Sequence, residues 1–269
     1  MDTALLDILN KDTYITPYSR YISGNIVEYD IRAANINMLY KYGKIDINLY
    51  TYLANLPKQD REVYVGRMVR EDRSIGECYE QGIRDHKVML AEANNIKVEE
   101  IIRIAKDAVY INRPYILQNR IFDNVEFKIG LMCDVALILS SDLIIFYGVD
   151  NNGNMNIEVK GLGKSKELHA NGMLSFIATL INTVERAGVQ DGLKLISNFY
   201  TSYINKQLPI QFYRQFDSDS RYRVNISGIG TAAISDESVI TDLNALDINY
   251  NAKIIRDIFG IIKSKYKWR

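Results

Sequence analysis

Asp30 ends a run of β-branched and aromatic residues, Val27 to Ile31, that reads as a short buried strand. Ala33 to Tyr40 follows directly and reads as a helix, with apolar positions at Ile36, Leu39 and Tyr40. A carboxylate at the end of a buried strand costs free energy unless something binds it. A divalent metal ion is one answer, and capping of the following helix is the other. A second acid, Asp107, falls between two further strand-like runs, Glu100 to Ala105 and Ala108 to Ile111. It therefore stands at or beside a hairpin turn, where a plain turn aspartate is also common. The third group is a row of cations on a helix over Lys58 to Arg70. Lys58, Arg61 and Tyr64 fall at i, i+3 and i+6 and read as nearly one face, which Arg67 and Arg70 continue. That row is either a solvated face paired with Asp60, Glu62, Glu71 and Asp72, or a surface that holds phosphate.

A strand–Asp–helix, a basic helix, and then a strand–Asp–strand hairpin occur in this order between residues 25 and 115. The order resembles the palm of template-directed polymerases, and is most like a minimal phage family B DNA polymerase. The resemblance implies a two-metal in-line displacement, with Asp30 and Asp107 as the catalytic acids and the Ile31 carbonyl as a further ligand. The ions would be two Mg²⁺ (or Mn²⁺), roughly 3.5–4 Å apart. It also implies that Lys58 and Arg61 hold the triphosphate, since negative charge builds on the leaving pyrophosphate. Tyr64 and Gly66 would face the nascent base pair. Asn35, five positions after Asp30, would stand where related enzymes gate the ribose 2′-hydroxyl. It is small and can donate or accept, so ribonucleotide use and a primase-like role stay open. The segment Lys160-Gly161-Leu162-Gly163-Lys164-Ser165-Lys166 is similar to the Lys-Gly stretch that tracks the primer–template backbone in that family. Lys160, Lys164 and Lys166 would then contact phosphates. Gly163-Lys164-Ser165 is not a phosphate loop, because that motif needs glycine where Glu158 stands. The chain departs from the fullest palm pattern at Lys106-Asp107-Ala108, which carries one acid where many polymerases carry two.

The positioning elements are expected to form an α+β fold. A palm-like antiparallel sheet with helices packed on it would span residues 1–160, with a fingers-like helical insertion over 46–94. A thumb-like, mainly helical part would span 161–269. The reading in detail is a helix over Ala4 to Leu9, and a turn at Gly24-Asn25 leading into the Asp30 strand. Gly43 is expected to stop the next helix. Helices then follow over Asp46 to Leu56, over Lys58 to Arg70, and from a Ser74 cap, with Glu77 in capping-box position, to Asn94. After the hairpin, four strands are expected, over Arg120 to Ile129, Met132 to Leu139, Leu143 to Val149 and Asn154 to Val159. Helices follow over Met173 to Arg186 and Val189 to Lys206. Strands flank an acidic turn at Asp217 to Ser220, and a last helix runs over Asn251 to Lys263 into a basic tail.

With 47% hydrophobic and 25% charged residues, the chain can bury a core and is not disordered. Its 33 cations balance 33 acids, which argues against a simple basic nucleic-acid coat but not against a local basic groove. Cys78 and Cys133 form neither a disulfide framework nor a zinc set, so a reducing cytoplasm is expected, that of a bacterial host if a bacteriophage encodes the chain. No apolar run reaches the roughly 20 residues of a membrane span. His86 and His169 have no metal-ligand spacing. The expected partners are a template or primer strand and nucleoside triphosphates. The alternatives are a non-catalytic nucleic-acid-binding or virion component, and a metal-dependent nuclease using the same two acids.

Overall fold

Strand alternation and helix periodicity resolve, in the computed structural model, into seven α-helices and ten strands among the described residues. Those residues are 2–139, 144–149, 153–160, 164–205, 207–208, 223–226, 230–233, 257, 260 and 261. The chain divides into two compact units, Met1–Ser19 with Gly24–Met132, and Arg20–Ser23 with Cys133–Arg269. Strands β2 (Tyr21–Ile31) and β6 (Val125–Ile138) each have residues in both.

The first unit holds α1 (Thr3–Leu9), β1 (Thr13–Ile15), α2 (Ala34–Lys41), α3 (Ile47–Ala54), α4 (Lys58–Glu71), α5 (Arg73–Ala93), β3 (Ile101–Ala105), β4 (Ala108–Asn112) and β5 (Ile121–Phe122). Its strands lie in the order β1-β3-β4-β2-β6, with β5 on β6. The ladders β1/β3, β3/β4, β2/β4 and β5/β6 are antiparallel. Val27, Tyr29 and Ile31 alternate into a core shared with Ile101, Ile104, Val109 and Ile111 of the hairpin and with Leu5, Leu9, Ile83 and Leu90 of the helices. Glu28 and Asp30 therefore point to the other face of β2. A second apolar cluster, Ile36, Leu39, Ile45, Leu53, Val65 and Ile75, binds α2 to α5 together. Arg113, almost fully buried, ties the last turn of α5 to the end of β4. Its guanidinium donates to Glu100 Oε1, Asn94 O and Asn95 O, each at 2.7 Å. Gly43 ends α2 in a Schellman motif with φ 66°, where Lys44 N donates to Leu39 O at 2.8 Å and Gly43 N to Tyr40 O at 3.1 Å.

The second unit holds the end of β6, β7 (Ile144–Val149), β8 (Met155–Lys160), α6 (Lys164–Ala187), α7 (Val189–Ile204), β9 (Arg223–Ile226) and β10 (Gly230–Ala233). β6, β7 and β8 pair antiparallel in sequence, as do β9 and β10. Val135, Leu137, Ile145 and Tyr147 pack on Ile177, Leu180, Ile181, Val184, Ile196 and Phe199 of the two long helices.

The fold class is thus α+β, an antiparallel sheet with packed helices. Several local expectations change. Gly24-Asn25 is not a turn but lies inside β2, and glycine suits position 24 because its φ of 148° is one that other side chains rarely adopt, with Asn112 Oδ1 also standing 2.2 Å from where a Cβ would be. Asp72, not Ser74, caps α5, accepting from Ser74 N at 2.9 Å. The runs Arg120 to Ile129 and Met132 to Leu139 are largely one 14-residue strand, β6, reached by a tight turn in which Asp123 and Asn124 adopt φ 48° and 66°. Strand β1 was not expected, because its three paired residues are too few to show alternation. The strands β7 and β8 belong to the second unit. The acidic turn at Asp217 to Ser220, the basic tail and most of the last helix lie outside the described residues.

The Tyr29 hydroxyl, wholly inside the first unit, accepts from Leu117 N at 2.9 Å. Tyr29→Phe removes that acceptor and leaves a buried N–H unsatisfied. It is expected to lower stability by about 1–3 kcal/mol, read as a lower urea midpoint with an unchanged slope.

Candidate active site

Pairing of β2 with β4 places Asp30 opposite Ala108, the residue after Asp107. One step further, Ile31 N donates to Asp107 O at 3.3 Å, so the two acidic segments meet at one end of the ladder. The turn that carries Asp107 is short, and Lys106 takes its left-handed conformation, φ 53°. Lys106 N donates to Asp12 O at 2.7 Å, while the buried Lys87 donates from Nζ to Lys11 O at 2.9 Å. Strand β1 is thereby held behind the hairpin turn. Burial pushes the Lys87 ammonium down to about 8.

Asp30 does not cap the helix that follows it. The N-cap of α2 is Ala33 in the left-handed region (φ 46°), with no side-chain cap bond. The Asp30 carboxylate instead meets Lys128 of β6, Nζ to Oδ2 at 2.8 Å. Register explains the pair. Arg32 N donates to Glu126 O at 2.8 Å and the Arg32 side chain pairs with Glu126 at 2.7 Å. Asp30 and Lys128 then stand two residues along their respective strands, on matching faces.

Asp30 and Asp107 line a cavity of about 430 Å³ together with Ile31, Asn35, Lys58, Arg61, Glu62, Tyr79, Lys106 and Lys128. The volume is within the range of small-molecule sites. Of the residues singled out from the sequence, Asp30, Ile31, Asn35, Lys58, Arg61 and Asp107 come together here. The Arg61 Nε–H is buried without a hydrogen-bond partner. Lys58 lies 3.7 Å from Glu62, both well exposed. Asn35 Oδ1 accepts from Ile36 N at 2.8 Å.

Tyr64 and Gly66 are not in the lining. At 3.6 residues per turn, i+6 falls about 120° round the helix from Lys58, so Lys58 and Tyr64 do not share a face. Tyr64 instead makes an edge contact with Tyr52, centroids 6.2 Å apart. Lys160 ends β8, 2.5 Å from Glu158, and Lys164 and Lys166 lie in the first turn of α6. All three belong to the second unit. His86 is buried, with Nδ1 2.7 Å from Gly82 O, and burial pushes its imidazole down. The side chain of His169 lies outside the described residues.

Lys106, Lys128, Tyr79 and Glu62, with Ala33 and Ala34, complete the lining, and none of them was given a site role from the sequence. Lys128 had one signal, the pattern Glu126-x-Lys128 mirroring Asp30-x-Arg32 with charges swapped, which is readable only once those strands are known to be neighbours. Tyr79 had none, because a tyrosine on α5 reads as core. Its hydroxyl is held well above its ordinary range by burial and by the nearby Asp107 and Asp30 charges.

Burial, and then the Asp30 charge, push the Asp107 carboxyl up. A cation between the two carboxylates would relieve both the repulsion and the desolvation. Among the described residues, no three His, Cys, Asp or Glu side chains converge on a point that could hold a metal ion. The cavity therefore offers Asp30 and Asp107, with Glu62, lysine and arginine elsewhere in its lining. A larger cavity, about 580 Å³, lies between α1 and the end of α5, but brings only Lys97 against Asp2, Glu92 and Glu99 and no convergent pair. No helix among the described residues is long and apolar enough to cross a membrane.

Fold and cavity together define an α+β protein in which Asp30, Glu62 and Asp107 line one cavity with four cationic side chains. The chain belongs to a bacteriophage protein family, the one described as Bacteriophage PBS1 gene 130 protein, whose model matches residues 3–259. No curated protein matches it.

The raised Asp107 gives a pH prediction. Between its ordinary value of 3.8 and its higher folded value, the native state binds more protons than the unfolded chain. Stability therefore falls as pH rises through that window, and the full cost is present above it. Asp107→Asn is expected to melt higher than the wild type at neutral pH, with the gap closing as pH falls toward 4. Equal melting temperatures across that range would show that the ionised carboxylate costs nothing in the native state.

Proposed function

We propose that the first unit performs template-directed nucleotidyl transfer by a metal-assisted in-line displacement, in the manner of a polymerase palm. One observation carries this reading. Asp30, Asp107, Lys58 and Arg61, drawn from three separate segments, line one cavity that sets carboxylates beside cationic side chains. The Lys58 ammonium and the Arg61 guanidinium are donors that suit phosphate oxygens. Asp30 and Asp107 would hold Mg²⁺ or Mn²⁺. Bound there, the metal would lower the pKa of a primer 3′-hydroxyl and screen the charge of the leaving group. Lys58 and Arg61 would grip the triphosphate, and Asn35 would stand beside the sugar. The second unit, with Lys160, Lys164 and Lys166, would contact the primer–template backbone.

A second reading is a degenerate palm that binds nucleic acid or joins the virion without catalysis. It is favoured by the single acid in the hairpin and by the hold of Lys128 on Asp30.

Primer extension by the full chain separates the two. DNA and RNA templates are offered with Mg²⁺ or Mn²⁺ and with dNTP or NTP pools. Extension is expected, and Asp30→Asn and Asp107→Asn are each expected to slow it by about 100-fold or more, at or beyond the upper end of what loss of a supporting shell group costs. The preferred pool reads out Asn35. Metal-dependent degradation of the strand without extension would point to a nuclease. Strand binding that needs no metal and is unchanged in both variants would leave the non-catalytic reading.

A further inference from the structure

We propose that the Lys128 ammonium is a resident cation of this site, standing in for one of the two metal ions of a palm, so that Asp30 and Asp107 hold a single divalent ion. The inference rests on the nucleotidyl-transfer reading and specifies its metal requirement.

The first support is position. Lys128 reaches Asp30 from the neighbouring strand at 2.8 Å, and the backbone bond from Arg32 N to Glu126 O fixes the register two residues away. The charge is therefore built into the sheet, not carried on a loop. The second is ligand supply. Two ions bridged by carboxylates need donors on both, and the hairpin offers Lys106-Asp107-Ala108, with a single acid. No third carboxylate converges with these two among the described residues. One Mg²⁺ is satisfied by one or two carboxylates, waters and substrate phosphate. The third is charge balance. Four cationic side chains, Lys58, Arg61, Lys106 and Lys128, face three carboxylates, Asp30, Glu62 and Asp107. That lining already attracts a triphosphate. The net positive charge of the lining and one divalent ion already offset most of the charge of a bound triphosphate, so a second ion is not required for it.

An ammonium suits this position because it is a compact charge with three donors. One N–H serves Asp30 Oδ2 and two remain for phosphate oxygens, while Asp30 Oδ1 is left for the metal ion. In the transfer, the primer 3′-oxygen bonds to the α-phosphorus and the bond to the bridging oxygen of the β-phosphate breaks. Pyrophosphate leaves with that electron pair, and the 3′-hydroxyl proton passes to water. Lys128 makes and breaks no bond, and contributes by keeping its charge.

The test counts bound Mn²⁺ by electron paramagnetic resonance. It uses the full chain with an α,β-imido deoxynucleoside triphosphate, which cannot be cleaved. The wild type is expected to hold one ion per chain. Lys128→Met, similar in length but uncharged, is expected to hold two, and Lys128→Arg to stay at one. Circular dichroism melts establish that each variant is folded, and Lys128→Gln, also uncharged, is counted in place of the methionine variant if the latter does not fold. Two ions on the wild type would overturn the inference while leaving the nucleotidyl-transfer reading in place. So would one ion on the wild type and one of equal affinity on Lys128→Met. No specific ion on the wild type, with Asp30→Asn and Asp107→Asn indistinguishable from it, would overturn both.

Discussion

The antiparallel register of β2 on β4 sets Asp30 against Ala108, and the candidate site is a consequence of that alignment. Side chains alternate with period two along a strand, so a slip of one residue would turn Asp30 into the apolar core and bring Tyr29 or Ile31 to the cavity. Several contacts oppose the slip. Val27, Tyr29 and Ile31 are each nearly fully buried on the core face. Tyr110 donates to Glu28 at 2.6 Å, and Gly130 has no side chain to obstruct that carboxylate, which a Cβ there would approach to 2.8 Å. Beyond Asp30, the swapped pairs Arg32–Glu126 and Asp30–Lys128 lock β6 onto the same register.

A carboxylate as buried as Asp107 is a cost that the unit carries. Its repulsion from Asp30 and its lost hydration oppose folding, and the apolar contacts around the hairpin offset them. Lys87 behaves alike on the far side of the turn. Its charge is unfavourable in the interior, yet its bond to Lys11 O helps hold β1, whose Asp12 carbonyl in turn anchors Lys106. Stability is thus spent close to the acids, and the arrangement persists because the surrounding sheet over-determines it.

Elements with strong local signals were legible in the sequence. The Asp30 strand, the hairpin, the cationic helix, the Schellman stop at Gly43 and the apolar stripes of α6 and α7 all rest on periodicity or turn chemistry within one segment. Four residues of the cavity, Asp30, Asp107, Lys58 and Arg61, could be named for the same reason, since a strand-end or hairpin acid and a helical cation row are local patterns, whereas Ile31 and Asn35 followed only from what the palm resemblance implies. What could not be read depended on distant partners. Gly24 looks like a turn residue until Asn112 is known to pass beside it. The pairing of Lys128 with Asp30 exists only through the adjacency of β2 and β6, which have almost 100 residues between them. The placement of Tyr64 failed for a different reason, an angular drift along the helix that three-residue spacing accumulates.

The Lys106-Asp107 connection also bears on how such a chain can change over generations. Its backbone is constrained at both ends, by the β3/β4 ladder on either side and by the bond from Lys106 N to Asp12 O. Substitution within the turn leaves that geometry intact wherever the new residue tolerates φ near 53°, as asparagine or glycine would. Insertion or deletion does not, because one residue more or fewer rotates the carboxylate away from Asp30. Lys106 can therefore be exchanged without moving the site, whereas a change in the length of the turn would carry Asp107 away from Asp30.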